Sequence, residues 1–126
     1  MNGKGDAVMK LEDLLIYQTD LLVLSAGETL FKEGDAGDAM YVLMSGTADI
    51  SVKGHVVELA NAGAILGELA LIDNSPRSAN VVATGECNLL AINAKRFAEL
   101  VHEVPGFAMF VMQSMAARLR KMGSLL

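Results

Sequence analysis

The sequence contains few of the residues that crosslink small proteins or hold metal ions, with one cysteine (Cys87) and two histidines (His55 and His102). One cysteine cannot form an intrachain disulfide, and with two separated histidines it is too little for a zinc site. A single thiol is typical of a reducing compartment, so we expect a cytoplasmic protein without a bound metal.

Basic residues and long apolar runs are also scarce. Ten Lys+Arg stand against fifteen Asp+Glu, for a net charge of -5. This balance argues against direct nucleic-acid binding, which depends on neutralising phosphates. No apolar run approaches the ~20 residues of a membrane-spanning helix, and the first residues lack the apolar core of a signal peptide. We therefore expect no membrane segment.

The chain is nevertheless rich in apolar residues. With 52% apolar and 20% charged residues among 126, it is long enough for one folded domain, predicted to span residues 1–126. Residues 1–6 are polar and glycine-rich, and we expect them to be disordered. Eight methionines and the high apolar content indicate a buried interface between subunits.

Hydrophobic periodicity predicts a mainly β protein with flanking helices. Residues 7–17 show helical spacing, and residues 21–92 consist of short apolar runs separated by glycines. In 48–52, apolar and polar residues alternate as in a half-buried strand, and Lys53-Gly54 has the composition of a hairpin turn. The pattern predicts an eight-stranded jelly-roll-like β-barrel between an N-terminal helix and two C-terminal helices.

The last third of the chain predicts those two helices. Asn93 is a candidate N-cap for the first, and Pro105-Gly106 separates it from the second, at 105–122. The second helix carries two apolar stripes, Phe107/Phe110/Val111/Met115/Leu119/Met122 and Met109/Met112/Ala116. Because one stripe can pack on the strands and the other needs a partner, we expect a lid and a homodimer contact here.

The segment 63–83 contains a predicted phosphate site. Gly67 allows close approach to the backbone, and the short helix predicted at Leu69–Ile72 begins with unpaired N–H groups that attract an anion. Arg77 has a planar fork suited to two phosphate oxygens, and Ser78 and Ala79 add a hydroxyl and N–H groups.

Glu68 suits a different part of the same ligand. A carboxylate repels phosphate but accepts a hydrogen bond from a sugar hydroxyl, as in dinucleotide-binding folds. In a 3′,5′-cyclic nucleotide only the 2′-hydroxyl is free, so Glu68 and Arg77 together fit a cyclic phosphate and its ribose.

Four motifs resemble those of one family. GELAL at 67–71 and PRSA at 76–79 resemble the phosphate-binding cassette of cyclic nucleotide-binding domains. The runs 27–35 (GETLFKEGD) and 37–43 (GDAMYVL) resemble the glycine-rich hairpin of the same domains. Such domains occur in catabolite activator-type regulators, protein kinase regulatory subunits and nucleotide-gated channels. The resemblance covers about residues 21–122.

The resemblance implies the roles of individual residues. Gly67, Glu68, Leu69 and Ala70 would line the ribose and phosphate, and Arg77 and Ser78 would hold the phosphate. In the final helix, Met122 stands where some members contact the base, and Arg118 is a second candidate for a base lid. The family usually has an aromatic residue before Gly-Glu, where this chain has Leu66.

We therefore expect a non-enzymatic sensor that binds cyclic AMP, with cyclic GMP left open, and couples its cassette to the C-terminal helix. The alternative is a dimerisation or protein-interaction module on the same fold that has lost its ligand. For the cassette itself, the alternative is that Arg77 simply pairs with Glu68 in an empty pocket. The sequence shows no nucleophile–base pair that would indicate catalysis. No DNA-binding, kinase or pore segment follows, so we expect a separate, unknown effector protein or a larger parent chain.

Overall fold

A computed structural model describes residues 9–16 and 20–123. Its helices and strands follow in the order α1 (Asp13–Ile16), β1 (Asp20–Leu24), β2 (Thr29–Phe31), β3 (Ala39–Ser45), β4 (Ala48–Val52), β5 (His55–Ala60), β6 (Ile65–Leu66), α2 (Leu69–Ile72), β7 (Asn80–Ala83), β8 (Cys87–Asn93), α3 (Ala94–Glu103) and α4 (Phe107–Gly123). The mainly β prediction with flanking helices is confirmed.

The eight strands form two four-stranded antiparallel sheets, in the orders β1-β8-β3-β6 and β2-β7-β4-β5. The predicted barrel is wrong in one respect, because the sheets are not closed into a barrel and hydrogen-bond only within themselves. Two of the edge strands, β2 and β6, have three and two residues. Such short edges provide too few ladder bonds to join the sheets, so the result is a jelly-roll sandwich.

The turns and the core follow from local sequence. Lys53 and Gly54 both have positive φ, 51° and 83°, and form the two-residue hairpin turn between β4 and β5. One core cluster lies between the two sheets and includes Leu43, Val81 and Leu89. The other joins the β1-β8-β3-β6 sheet to the helices. Ile50 and Val52 of β4 and Val81 of β7 line the cavity described below, so this sheet forms one wall of the site.

The N-terminal helix is shorter than predicted. In place of a helix over 7–17, the described residues contain only the short helix α1, preceded by a turn in which Lys10 N–H donates to Asp13 Oδ2 at 3.0 Å. Leu14 is buried whereas Leu15 is 44% exposed, so the predicted stripe is only partly packed. Segment 1–6 lies outside the described residues, and its predicted disorder stays a prediction.

The C-terminal helices begin where the sequence predicts. Asn93 caps α3, its side chain accepting the Arg96 N–H at 2.8 Å, and Gly106 has a φ of 85° between the helices. Phe107 and Val111 anchor α4 in the core, whereas Leu119, placed in the same stripe by the sequence, is 65% exposed. The reason is that Arg118 takes the inward position at that end of α4. None of the described helices has the length and apolar character to span a membrane.

Candidate ligand-binding site

The segment from β6 to β7 forms a short helix between two strands, as predicted. Gly67 has a φ of 76° and turns the chain into α2. Glu68 is the N-cap residue of α2, and its carbonyl accepts the N–H groups of Leu71 and Ile72 at 3.1 Å each. Helix α2 therefore starts beside Glu68, and of its first N–H groups that of Ala70 donates to the Gly67 carbonyl at 3.3 Å.

Asp73 fixes the polar turn that follows α2. The backbone N–H of Ser75 donates to Asp73 Oδ1 at 3.0 Å, and the Ser75 hydroxyl donates to the same oxygen. These donors, the hydroxyl first, lower the pKa of Asp73 below its ordinary value of 3.8. Since the pKa is lowered in the folded state, the turn gains stability above pH 3.8 and loses it as the pH falls further.

Arg77 returns on the far side of the turn and is buried, with 6% exposure. Its backbone N–H donates to the Asp35 carbonyl at 2.7 Å, and its Nη1 donates to the Gly67 carbonyl at 3.0 Å. The guanidinium carbon lies 4.3 Å from the centroid of the Phe31 ring and 5.8 Å from that of Tyr41. Its Nε is buried without a hydrogen-bond partner among the described residues. Arg77 is thus held in place while its buried Nε–H stays without an acceptor among the described residues.

The guanidinium of Arg77 occupies space that is open because two neighbouring residues are glycines without a side chain. A Cβ at Gly67 would lie 2.3 Å from Arg77 Nη1, and a Cβ at Gly37 would lie 2.3 Å from Arg77 Cζ. Gly37 does not have positive φ, unlike Gly27, Gly34 and Gly46. The glycine-rich composition of the hairpin motifs is typical of turns, but Gly37 is needed for close approach to Arg77.

Gly37→Ala should weaken ligand binding about tenfold or more with little change in stability. The added methyl group displaces a flexible side-chain end and not backbone, so the fold persists while Arg77 moves from its place. Titration calorimetry and thermal melts check this result. Gly85→Ala is the matched control, because the nearest atom to its Cβ, Thr47 Oγ1, is 4.0 Å away. Equal affinity of the two variants would contradict the role of Gly37.

Glu68 is paired with Arg118 from α4 and not with Arg77. Glu68 is 5% exposed, and its Oε1 accepts Arg118 Nη1 at 2.5 Å, while Arg118 Nη2 donates to the Ile65 carbonyl at 2.5 Å. The possible pairing of Arg77 with Glu68 is therefore wrong. Arg118 thus connects α4 to Glu68 and to the Ile65 carbonyl of β6.

One cavity of about 430 Å³ brings the predicted residues together. Its lining includes all seven predicted cassette residues and Arg118 (Gly67, Glu68, Leu69, Ala70, Arg77, Ser78, Ala79, Arg118). Ile50, Val52 and Val57 form an apolar wall. Met122 belongs to α4, but its side chain lies outside the described residues.

Several residues of this site are not indicated by the sequence, and four of them contact the two buried arginine and glutamate groups or their partners. Phe31 and Tyr41 contact Arg77, and each stands within one of the two hairpin motifs, so an aromatic residue in both was an available signal. Gly37 and Glu58 gave no local signal, because their positions beside Arg77 and Arg118 depend on packing between distant segments.

The fold and the cavity define a β-sandwich ligand-binding domain in which a buried arginine and a buried glutamate face one small-molecule site. The chain belongs to the cyclic nucleotide-binding domain family, whose model matches residues 21–104. Helix α4 and Arg118 lie beyond that match.

Similarity to individual proteins agrees with the family. The chain is 33% identical over 103 residues to a cAMP-dependent protein kinase regulatory subunit of Eremothecium gossypii, covering 79% of this chain and 22% of that protein. It is 38% identical over 72 residues to a cGMP-dependent protein kinase of Drosophila melanogaster, covering 57% and 7%. The Thermus thermophilus catabolite activator protein superposes with a TM-score of 0.76 and 28% identity, covering 90% of this chain and 55% of that one. The chain thus spans a small part of the kinase relatives.

Proposed function

We propose that this chain is a sensor domain whose cavity binds a 3′,5′-cyclic nucleotide, cyclic AMP in preference to cyclic GMP. The unpartnered Nε of buried Arg77 carries this proposal, because a buried donor without an acceptor is costly and a phosphate oxygen would satisfy it. Gly67 and the start of α2 stand beside it, as a phosphate site requires.

Charge and shape of the cavity support the same ligand. Three cationic side chains, Arg77, Arg118 and Lys121, and two carboxylates, Glu58 and Glu68, line it. This leaves one excess positive charge, which matches the single negative charge of a cyclic phosphate. The apolar wall of Ile50, Val52 and Val57 suits the flat faces of a purine. Nothing in this arrangement supplies a nucleophile with its base, so we propose binding without catalysis.

Thermal melts and titration calorimetry with cyclic AMP and cyclic GMP test the function. A binding ligand at a hundredfold excess over its Kd should stabilise the protein by about 2.7 kcal/mol. Melts that stay flat with both nucleotides would favour the alternative, a ligand-free interaction module. A tenfold preference for cyclic GMP would overturn the choice of cyclic AMP.

Glu68→Gln should reduce affinity for cyclic AMP about fivefold while leaving 2′-deoxy cyclic AMP less affected. A hydrogen bond from the 2′-hydroxyl to a carboxylate is stronger than one to an amide. Calorimetric titration of both nucleotides against both proteins measures the difference. Equal losses for the two ligands would show that Glu68 does not contact the 2′-hydroxyl.

We also propose that ligand binding is coupled to α4 and that α4 forms a homodimer. Arg118 links α4 directly to Glu68, so a ligand that engages Glu68 acts on the contact that holds α4 in place. Met109, Met112 and Leu119 are 53%, 52% and 65% exposed. With Ala116 they recur at the three- and four-residue spacing of a coiled-coil seam, which favours the α4 of a second copy as the partner. The signal would then pass to a separate cytoplasmic effector protein.

A further inference from the structure

Glu58 places a second carboxylate on the inner side of the sandwich. On edge strand β5, Glu58 lies opposite Ile50 and Ala60 lies opposite Ala48, and these three neighbours are buried. Because residues directly opposite in a sheet share a face, Glu58 points toward the cavity. A carboxylate at such a position costs free energy unless it is paired.

A register shift accompanies this placement. Ile50 pairs with Glu58 but the next residue, Ser51, pairs with Val56, so that Val57 is an extra residue on β5. Bulges of this kind re-aim the neighbouring side chains. As a result two consecutive residues, Val57 and Glu58, line the same cavity.

The partner of Glu58 is Arg118, which forms an ion pair with Glu58 and hydrogen bonds with two other groups. Nη1 binds Glu68 Oε1, Nη2 binds the Ile65 carbonyl, and Nε lies 3.8 Å from Glu58 Oε1. Among the described residues, no group donates a hydrogen bond to Oε2 of Glu68. This oxygen is also not one of the fully buried polar atoms that lack a partner, so it is accessible. Oε2 is therefore the oxygen of Glu68 left available in the cavity.

We infer that Glu58 is a positioning residue that keeps Oε2 of Glu68 free for the ribose 2′-hydroxyl. An arginine facing one carboxylate favours a bidentate fork that takes both oxygens. Glu58 attracts the Nε edge of Arg118 and so holds the guanidinium in the orientation in which Nη2 reaches the Ile65 carbonyl and only Nη1 reaches Glu68. Glu58 then determines selectivity for ribose over 2′-deoxyribose without touching the ligand. This inference rests on the proposed function.

Glu58 has another explanation, because inward-pointing charges also protect edge strands from aggregation. Titration calorimetry distinguishes these two explanations of Glu58. Cyclic AMP and its 2′-deoxy analogue are each titrated against the wild type, Glu58→Gln and the double variant Glu58→Gln/Arg118→Met. The wild type should prefer cyclic AMP about tenfold or more. Glu58→Gln should bring this ratio close to one, since Arg118 then takes both Glu68 oxygens. Removing the guanidinium in the double variant should restore the preference.

An unchanged ratio in Glu58→Gln, or a double variant in which the preference stays lost, would overturn the inference. A measurement on the ligand-free protein tests the role of Glu58 independently of the proposed function. The NMR signal of the Arg118 Nε–H group, identified by its absence in Arg118→Met, should shift in Glu58→Gln. If that signal does not move, Glu58 does not hold Arg118, whichever nucleotide the protein binds. If it moves but neither nucleotide binds the wild type, the proposed function fails and the selectivity role of Glu58 fails with it.

Discussion

The Arg77→Ala variant should lose cyclic nucleotide binding almost completely while remaining folded. Its guanidinium would make charge-assisted contacts to the phosphate, and truncating such a buried partner costs about 2–5 kcal/mol, or roughly thirty- to several thousand-fold in affinity. The fold should persist because the side chain borders the cavity and already leaves its Nε unpaired. Calorimetry for affinity, with circular dichroism for the fold, checks both statements.

Two further variants make this result specific. Arg77→Lys keeps the charge but lacks the planar fork, so its affinity should fall between those of the wild type and Arg77→Ala. Arg96→Ala removes an arginine whose ion pair is with Glu99 on α3, outside this cavity, and should bind like the wild type. Wild-type affinity in Arg77→Ala would exclude Arg77 as the phosphate contact.

The Met112→Glu variant should convert a dimer into a monomer. Met112 is 52% exposed at the centre of the proposed α4 seam, where a symmetric partner would bury the new charge twice. Desolvating an unpaired carboxylate costs several kcal/mol, which exceeds what most small seams provide. Sedimentation analysis of both proteins, with and without cyclic AMP, measures the change.

A charge placed elsewhere controls for a general effect on association. Val101→Glu adds the same side chain at a position of α3 that is 43% exposed, and the dimer should survive it. A wild type that sediments as a monomer at micromolar concentrations, with and without cyclic AMP, would contradict the dimer. Helix α4 would then act only as a lid on its own cavity.

Local features of this protein are determined by sequence because they depend on a few neighbouring residues. The Lys53-Gly54 turn follows from backbone freedom at positive φ, and the Asn93 cap from one side-chain oxygen near the N–H groups of α3. The cassette was predictable in the same way, since Gly67, Glu68 and Arg77 stand within eleven consecutive residues. Short apolar runs separated by glycines likewise indicated the strands of both sheets.

Tertiary structure alone decided the contacts between distant segments. Whether the sheets close depends on edge pairing, and the short β2 and β6 leave them open. Glu68 and Arg118 stand fifty residues apart, and only the docking of α4 on the sandwich brings them within a hydrogen bond. The same packing exposes Leu119, places Glu58 beside Arg118 and presses Gly37 against Arg77. The periodicity of a sequence shows which face of a helix or strand is apolar. How one helix or strand packs across another depends on the whole core. That packing determines which residue pairs with each buried charge.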